Sequence, residues 1–149
     1  TVSMEYEPTG WERVDRSIYE MKKRLSIAET EEQFQAIGML GRDTLVSIAQ
    51  QVFDESKHKS TDGVQPSTTD SKRMLDSYLA HEIAGQSNEC VRKFAKSAID
   101  LSNALTHDRT ATKRDASLCL VSTTAVASIV KLIDENREAG AHEIDDIPF

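Results

Sequence analysis

Asn103 and His107 sit four residues apart in the stretch VRKFAKSAIDLSNALTHDRTATKRDA, which runs from Val91 to Ala116. At about 100° per residue, four residues is close to one helical turn, so a helix puts both side chains on one face. Arg92 and Lys96 fall on the same stripe, roughly 100–160° from Val91. Arg109, Lys113 and Arg114 follow just beyond. From Glu89 to Asp115 there are six bases against four acids, a local excess of positive charge in an acidic chain. A histidine on a polar helical stripe can exchange a proton near neutral pH. Beside an Asn and several bases it could hold an RNA phosphate. The same residues also admit a plainer reading. A cation at the end of a helix is favoured by the helix dipole, and the bases then form a solvated face.

No other constellation competes. His58, His81, His107 and His142 have no metal-ligand spacing with Cys90 and Cys119, so neither metal nor cofactor is expected. There is no glycine-rich phosphate loop and no nucleophile motif among the serines. Trp11 reads as a core residue. Both cysteines lie in apolar-patterned stretches and read as small buried hydrophobes without a disulfide.

The elements that must position these residues are all helical. Trp11, Val14, Ile18, Met21 and Leu25 recur at three- and four-residue spacing among charged neighbours, the pattern of an amphipathic helix. Thr30 with Gln33 forms a capping box for a second helix through Phe34, Ile37, Leu40, Leu45, Ile48 and Val52. Glu55 to Thr69 reads as a loop around Gly63 and Pro66. Thr69 or Asp70 caps a third helix that Gly85 stops. Ser87 or Asn88 opens a fourth, with Val91, Phe94, Ala98, Leu101 and Leu105 as its expected core face. Thr112, with Asp115 three residues on, opens a fifth that reaches about Glu138. Apolar nearly all round, it is expected to be the most buried element. No strand-like alternation appears. The predicted fold is all-α, an antiparallel bundle of about five helices spanning residues 8–138, followed by an acidic flexible tail at 139–149.

Composition narrows the function classes. The chain has 149 residues and a formal net charge of -7, enough for one domain and unsuited to coating DNA through overall charge. Six acids and one base lie between Asp134 and Phe149, so most of the acidity sits in the tail. No signal peptide is visible. The run from Leu118 to Ile133 is broken by Ser122, Thr123, Thr124 and Ser128, and reads as a buried helix and not a membrane span. A cytoplasmic location is expected. The chain starts at Thr1 and not at Met, as a piece of a larger protein would.

An all-α domain whose penultimate helix ends in Asn-x-x-x-His, followed by a turn and a long apolar helix, resembles the HEPN superfamily over roughly Trp11 to Ile133. SNALTHDRTATKRDASLC is the part most similar to a bacterial, defence- and toxin-associated subgroup. The resemblance implies a homodimer in which two motifs face each other. It also implies metal-independent ribonuclease chemistry, with His107 as acid/base on the RNA 2′-OH and Asn103 as polar partner. Family ribonucleases place an Arg just before the polar residue. Here that slot falls on Ser102, and neither Leu101 nor Asp100 is an Arg. Electrostatic stabilisation is commonly the largest catalytic contribution, so its missing cation points to a non-catalytic or weakly catalytic domain. Arg42 or Arg109 could replace it in space; for Arg42 the plainer and favoured reading is a salt bridge with a neighbouring acid.

Asp145-Asp146-Ile147-Pro148-Phe149 resembles the acidic C-terminal tip of bacterial single-stranded DNA-binding protein. Phe149 suits an apolar pocket, its α-carboxylate an Arg or Lys, and the two aspartates a basic rim. Pro148 limits the entropy lost on docking. Glu143 and Ile144 depart from the acidic run usual in that tip. The resemblance implies a natural or grafted docking peptide for genome-maintenance proteins that bind such tips. The body lacks the β-barrel pattern of an oligonucleotide-binding fold. The resulting expectation is a HEPN-like interaction module with a docking tip. A defence-system ribonuclease is the alternative, and RNA is the further partner the basic patch would take.

Overall fold

In a computed structural model, residues 6–107 and 112–146 are described, with side chains for 6–106 and 112–136. These residues form five α-helices and no strand: α1 (Glu12–Ile27), α2 (Glu31–Val52), α3 (Ser71–Glu82), α4 (Glu89–His107) and α5 (Lys113–Asp146). A short 3₁₀ turn, Gln86–Asn88, leads into α4. The bundle is all-α, as the periodicity predicts.

Helix starts follow local chemistry. The Thr30 hydroxyl accepts from Gln33 N, while the Gln33 side chain accepts from Thr30 N at 3.0 Å. Asp70 caps α3 by accepting from Arg73 N. Thr112 Oγ1 accepts from Asp115 N at 3.1 Å at the head of α5. Gly85 takes φ +100° in the turn after α3, a conformation that L side chains rarely adopt.

At the head of α1, Asp15 gathers the preceding segment. Its carboxylate accepts from the Tyr6 hydroxyl (2.9 Å), Thr9 N (2.9 Å), the Thr9 hydroxyl (2.8 Å) and Gly10 N (3.0 Å). Burial pushes the Asp15 carboxyl up, but these hydrogen bonds outweigh it and hold the group below its ordinary 3.8. Asp15→Asn is expected to cost about 1–3 kcal/mol at neutral pH, because donors aimed at a carboxylate meet a neutral amide. The folded value is lowered. The carboxylate's contribution is therefore complete above the unfolded value and lost as pH falls through the folded one. Urea midpoints should thus separate wild type from the variant at pH 7 and converge below the ordinary carboxylate range.

The centre of the bundle is not the helix that the sequence favours. α2 packs against each of the other four helices, whereas the extensive partners of α5 are α1, α2 and α4. The reason lies in small residues. Gly38, Gly41, Thr44 and Ala49 are buried on α2 and let neighbours approach its backbone. A Cβ on Gly41 would lie 2.6 Å from Cys119 Sγ and 3.0 Å from Thr106 Cγ2, so only glycine fits where α2 meets α4 and α5. Between Lys113 and Asn136, α5 is long and apolar enough to cross a membrane by length and composition. It buries one side, through Ala116, Cys119, Thr123, Val126, Ala127 and Val130, and leaves Val121 and Leu132 exposed. Its bounds run through Asp146, past the expected stop near Glu138. Side chains from 137 onward, and all of residues 147–149, lie outside the described residues, and with them every contact of the tail and its tip.

The expected core face of α4 is corrected by the structure. Val91, Phe94 and Leu101 are exposed, while Ala95, Ile99 and Ser102 are buried. The helix is rotated so that its smaller residues meet the bundle. Cys90 is likewise exposed, and only Cys119 is the buried hydrophobe expected; both are free thiols. Trp11 packs half-buried against the core, with Lys131 Nζ 5.0 Å from its ring centroid.

Candidate functional site

α4 carries most of the residues singled out by the sequence, and its partner α5 fixes how they sit. Ser102 Oγ and Thr123 Oγ1 are 2.9 Å apart. One turn further along α4, Thr106 meets Gly41 beside Cys119, which is one turn back on α5. Near the other end, Val91 and Leu132 line one groove. Positions rise on α4 as they fall on α5, so the two helices are antiparallel, with Ser102 level with Thr123.

The motif slots are now placed. Asn103 is half-buried, and its carbonyl accepts from the Thr106 hydroxyl at 3.1 Å. His107 is the last residue of α4. Its side chain, and all of Arg109, lie outside the described residues. Ser102, in the position where an Arg is expected from the resemblance, is fully buried and turned into the α4–α5 interface. Leu101 is exposed, and Asp100 pairs with Lys72 at 3.6 Å. Arg42 is exposed and makes no ion pair among the described residues, so the expected pairing with an acid is not seen there.

The expected nucleic-acid-binding bases fall into two groups. Arg92 is half-buried, and its Nη1 donates to Ile83 O (2.7 Å) and Gly85 O (2.6 Å). That guanidinium closes the end of α3 and is partly committed to the fold. With Lys93 and Lys96 it lines a groove of about 370 Å³ against α3, together with Asp76 and Glu89. Lys93 Nζ pairs with Glu89 at 3.0 Å. Burial raises the Asp76 carboxyl, and Lys72 and Lys96 pull it back; Asp76 Oδ1 has no hydrogen-bond partner. Lys113 and Arg114 stand exposed at the head of α5. At 1.5 Å per residue along antiparallel helices they lie about 30 Å from Arg92. Among the described residues, then, the bases do not form one continuous strip.

Two features are absent from the sequence reading. One is the exposed apolar stripe of α4. Its signal was available: Ala95, Ile99, Ser102 and Thr106 repeat at the same 4-3-4 spacing as a second seam of smaller side chains. The other is His58, buried in a segment that reads as a polar loop. Its Nδ1 accepts from Asp54 N at 2.8 Å, so its N–H sits on Nε2 and points to Glu82 Oε1 at 2.9 Å. Ring contacts to Tyr78 (5.1 Å) and His81 (5.3 Å) enclose it. The Tyr78 hydroxyl in turn donates to Asp134 Oδ1 at 3.2 Å, linking α3 to α5. Nothing in the loop composition marks this histidine.

No cluster of three His, Cys, Asp or Glu side chains able to hold a metal ion occurs among the described residues. The chain matches no known family, no curated protein and no solved structure.

Proposed function

We propose that this chain is a HEPN-like helical interaction module, non-catalytic or weakly catalytic. It acts in the cytoplasm, in a bacterial defence or genome-maintenance setting, and docks through Asp145–Phe149 onto proteins that recognise the single-stranded DNA-binding protein tip. The observation that carries the non-catalytic part is Ser102. A transition-state phosphate needs a cation beside the His, and Ser102 lies at 0% exposure in the hydrogen bond with Thr123. The docking part is supported by the chemistry of the last five residues alone. It requires a free α-carboxylate on Phe149.

The test uses the full chain, fluorescently labelled, against a panel of tip-binding helicases, exonucleases and primosome factors. Micromolar binding is expected, with loss on deleting Phe149 and on converting its carboxylate to an amide. Binding indifferent to both changes, or no binding, would remove the docking reading. Cleavage of a structured RNA by the same protein, abolished in His107→Ala, would favour the ribonuclease alternative instead.

A further inference from the structure

α3 and α4 run antiparallel, since Lys72 pairs with Asp100 while Arg92 reaches back to Ile83 and Gly85. In that register Lys96 stands across from Asp76. Both line the groove of about 370 Å³ between the two helices, together with Thr61, Leu79 and Ala80. A second groove, lined by Asp62, Asp70, Lys72 and Arg73, adjoins it at Thr61 and Asp76. We infer that the α3–α4 groove binds a sugar phosphate, with the phosphate on Arg92 and Lys96 and the sugar hydroxyls donating to Asp76.

Nearly every charge along these two grooves has a partner. Lys72 pairs with Asp100, Arg73 with Asp62 and Asp70, and Lys93 with Glu89. One acid and one base are left over, and they face the same groove. Asp76 makes no hydrogen bond and no ion pair among the described residues, although its Oδ1 is shut off from water. Lys96 has no ion pair there either. The two are close enough for Lys96 to pull the Asp76 carboxyl down, yet they do not meet. A half-buried carboxylate without a donor is costly, because the water it lost is not replaced. Such a group in a native fold has a cause, and a donor arriving in the groove supplies one. Arg92 adds a fixed cation. Its Nη1 donates to two backbone carbonyls, which pins the guanidinium and leaves Nε and Nη2 to serve an anion. Arg92 and Lys96 are four residues apart on α4, about 6 Å along one face, a spacing that suits one phosphate between them.

Charge and lining choose the ligand class. With Lys93 neutralised by Glu89, Arg92 and Lys96 stand against Asp76 alone, an excess of one cation. That favours an anion over a zwitterion such as a free amino acid. The volume falls in the range of small-molecule sites and far exceeds an inorganic phosphate. The anion must also bring donors for Asp76, and hydroxyls supply them without adding positive charge beside Lys96. No aromatic side chain lines the groove, so a nucleobase would find no stacking platform. Leu79 and Ala80 offer instead a small apolar surface for the C–H face of a sugar, and the Thr61 hydroxyl is a further polar contact. This site is separate from the Asn103–His107 stripe and rests on neither the family nor the tail reading.

The test is isothermal titration calorimetry on the full chain, with glucose 6-phosphate and ribose 5-phosphate as probes. Submillimolar binding of at least one is expected. It should be roughly tenfold or more tighter than binding of inorganic phosphate or of glucose, each of which engages only half of the site. Lys96→Gln should weaken the sugar phosphates about tenfold. Asp76→Asn should bring them down to the level of inorganic phosphate, because the charged acceptor is gone. The same variant should raise the urea midpoint at neutral pH. Burial raises the folded Asp76 carboxyl, so its penalty is absent below the unfolded value and complete above the folded one, and a neutral amide escapes it. Opposite signs in binding and stability mark a residue kept for a ligand and not for the fold. Lys23→Gln, exposed on α1, should leave binding unchanged. Binding no tighter than that of inorganic phosphate would overturn the proposal, as would sugar-phosphate affinity indifferent to Asp76→Asn. AMP binding roughly tenfold tighter than ribose 5-phosphate would replace the sugar phosphate with a nucleotide. A urea midpoint that falls in Asp76→Asn would mean that Lys96 pairs with Asp76 in solution, and the site would be lost.

Discussion

Ser102→Arg is expected to lower stability by about 3–5 kcal/mol and to bring no RNA cleavage, although Arg is the residue type that the resemblance to HEPN ribonucleases leads one to expect there. Ser102 is fully buried and meets Thr123 across the α4–α5 interface. A guanidinium in that position would lose its water and find a hydroxyl where it needs a carboxylate. It also adds several heavy atoms to a packed seam. The measurement is urea unfolding of wild type, Ser102→Arg and two controls. Ser102→Ala leaves Thr123 with half of the pair and should cost about 1 kcal/mol. Ser102→Ala with Thr123→Val removes both partners together and should be nearly neutral. A Ser102→Arg protein that unfolds like wild type and cleaves RNA would mean that α4 can rotate its motif face outward, and the non-catalytic reading would fall.

That contrast shows what kind of information the sequence carried. Helix number, starts and caps were legible because they are local. Thr30 with Gln33, Asp70 and Thr112 each act within one turn, so residue type and spacing suffice. The loop between α2 and α3 was legible for the same reason, through its glycine, proline and small polar residues. The orientation of α4 was not. Hydrophobic periodicity reports an apolar arc but not which part of it the bundle covers. α4 has two adjacent arcs, large residues through Phe94 and Leu101, and small ones through Ala95, Ile99 and Ser102. Hydropathy favours the first. Close packing chose the second, because α2 approaches α4 near Gly41 at a distance that only small neighbours allow. The centrality of α2 was hidden likewise, since Gly38, Gly41 and Thr44 look weakly hydrophobic while serving as contact surfaces. For the candidate site, the positions of Asn103 and His107 on α4 followed from spacing, but the inward turn of Ser102 is a tertiary fact.

His58→Ala is the second large effect expected, again about 3–5 kcal/mol. The ring is fully buried, with one nitrogen accepting from the Asp54 backbone and the other donating to Glu82, whose side chain is only 7% exposed. Alanine would leave the Asp54 N–H without its acceptor, remove the ring partner of a buried carboxylate and open a space between Phe53 and Tyr78. The consequence should extend beyond the lost contacts. The segment 53–70 is held to the bundle by this ring, by Gln50 Nε2 donating to Thr68 O at 2.7 Å, and by Asp62 accepting from Arg73 Nε at 2.8 Å. The Gln50 and Asp62 bonds are exposed, and exposed pairs contribute little. Freeing His58 should therefore release the whole segment. Limited proteolysis should cut His58→Ala within 53–70 well before the helices, at a protease level that leaves wild type intact. His58→Gln, able to keep one of the two hydrogen bonds, should fall between them in both unfolding and cleavage. If His58→Ala instead unfolds within 1 kcal/mol of wild type and resists cleavage, the ring is a passenger in the core and the segment is held by its surface bonds.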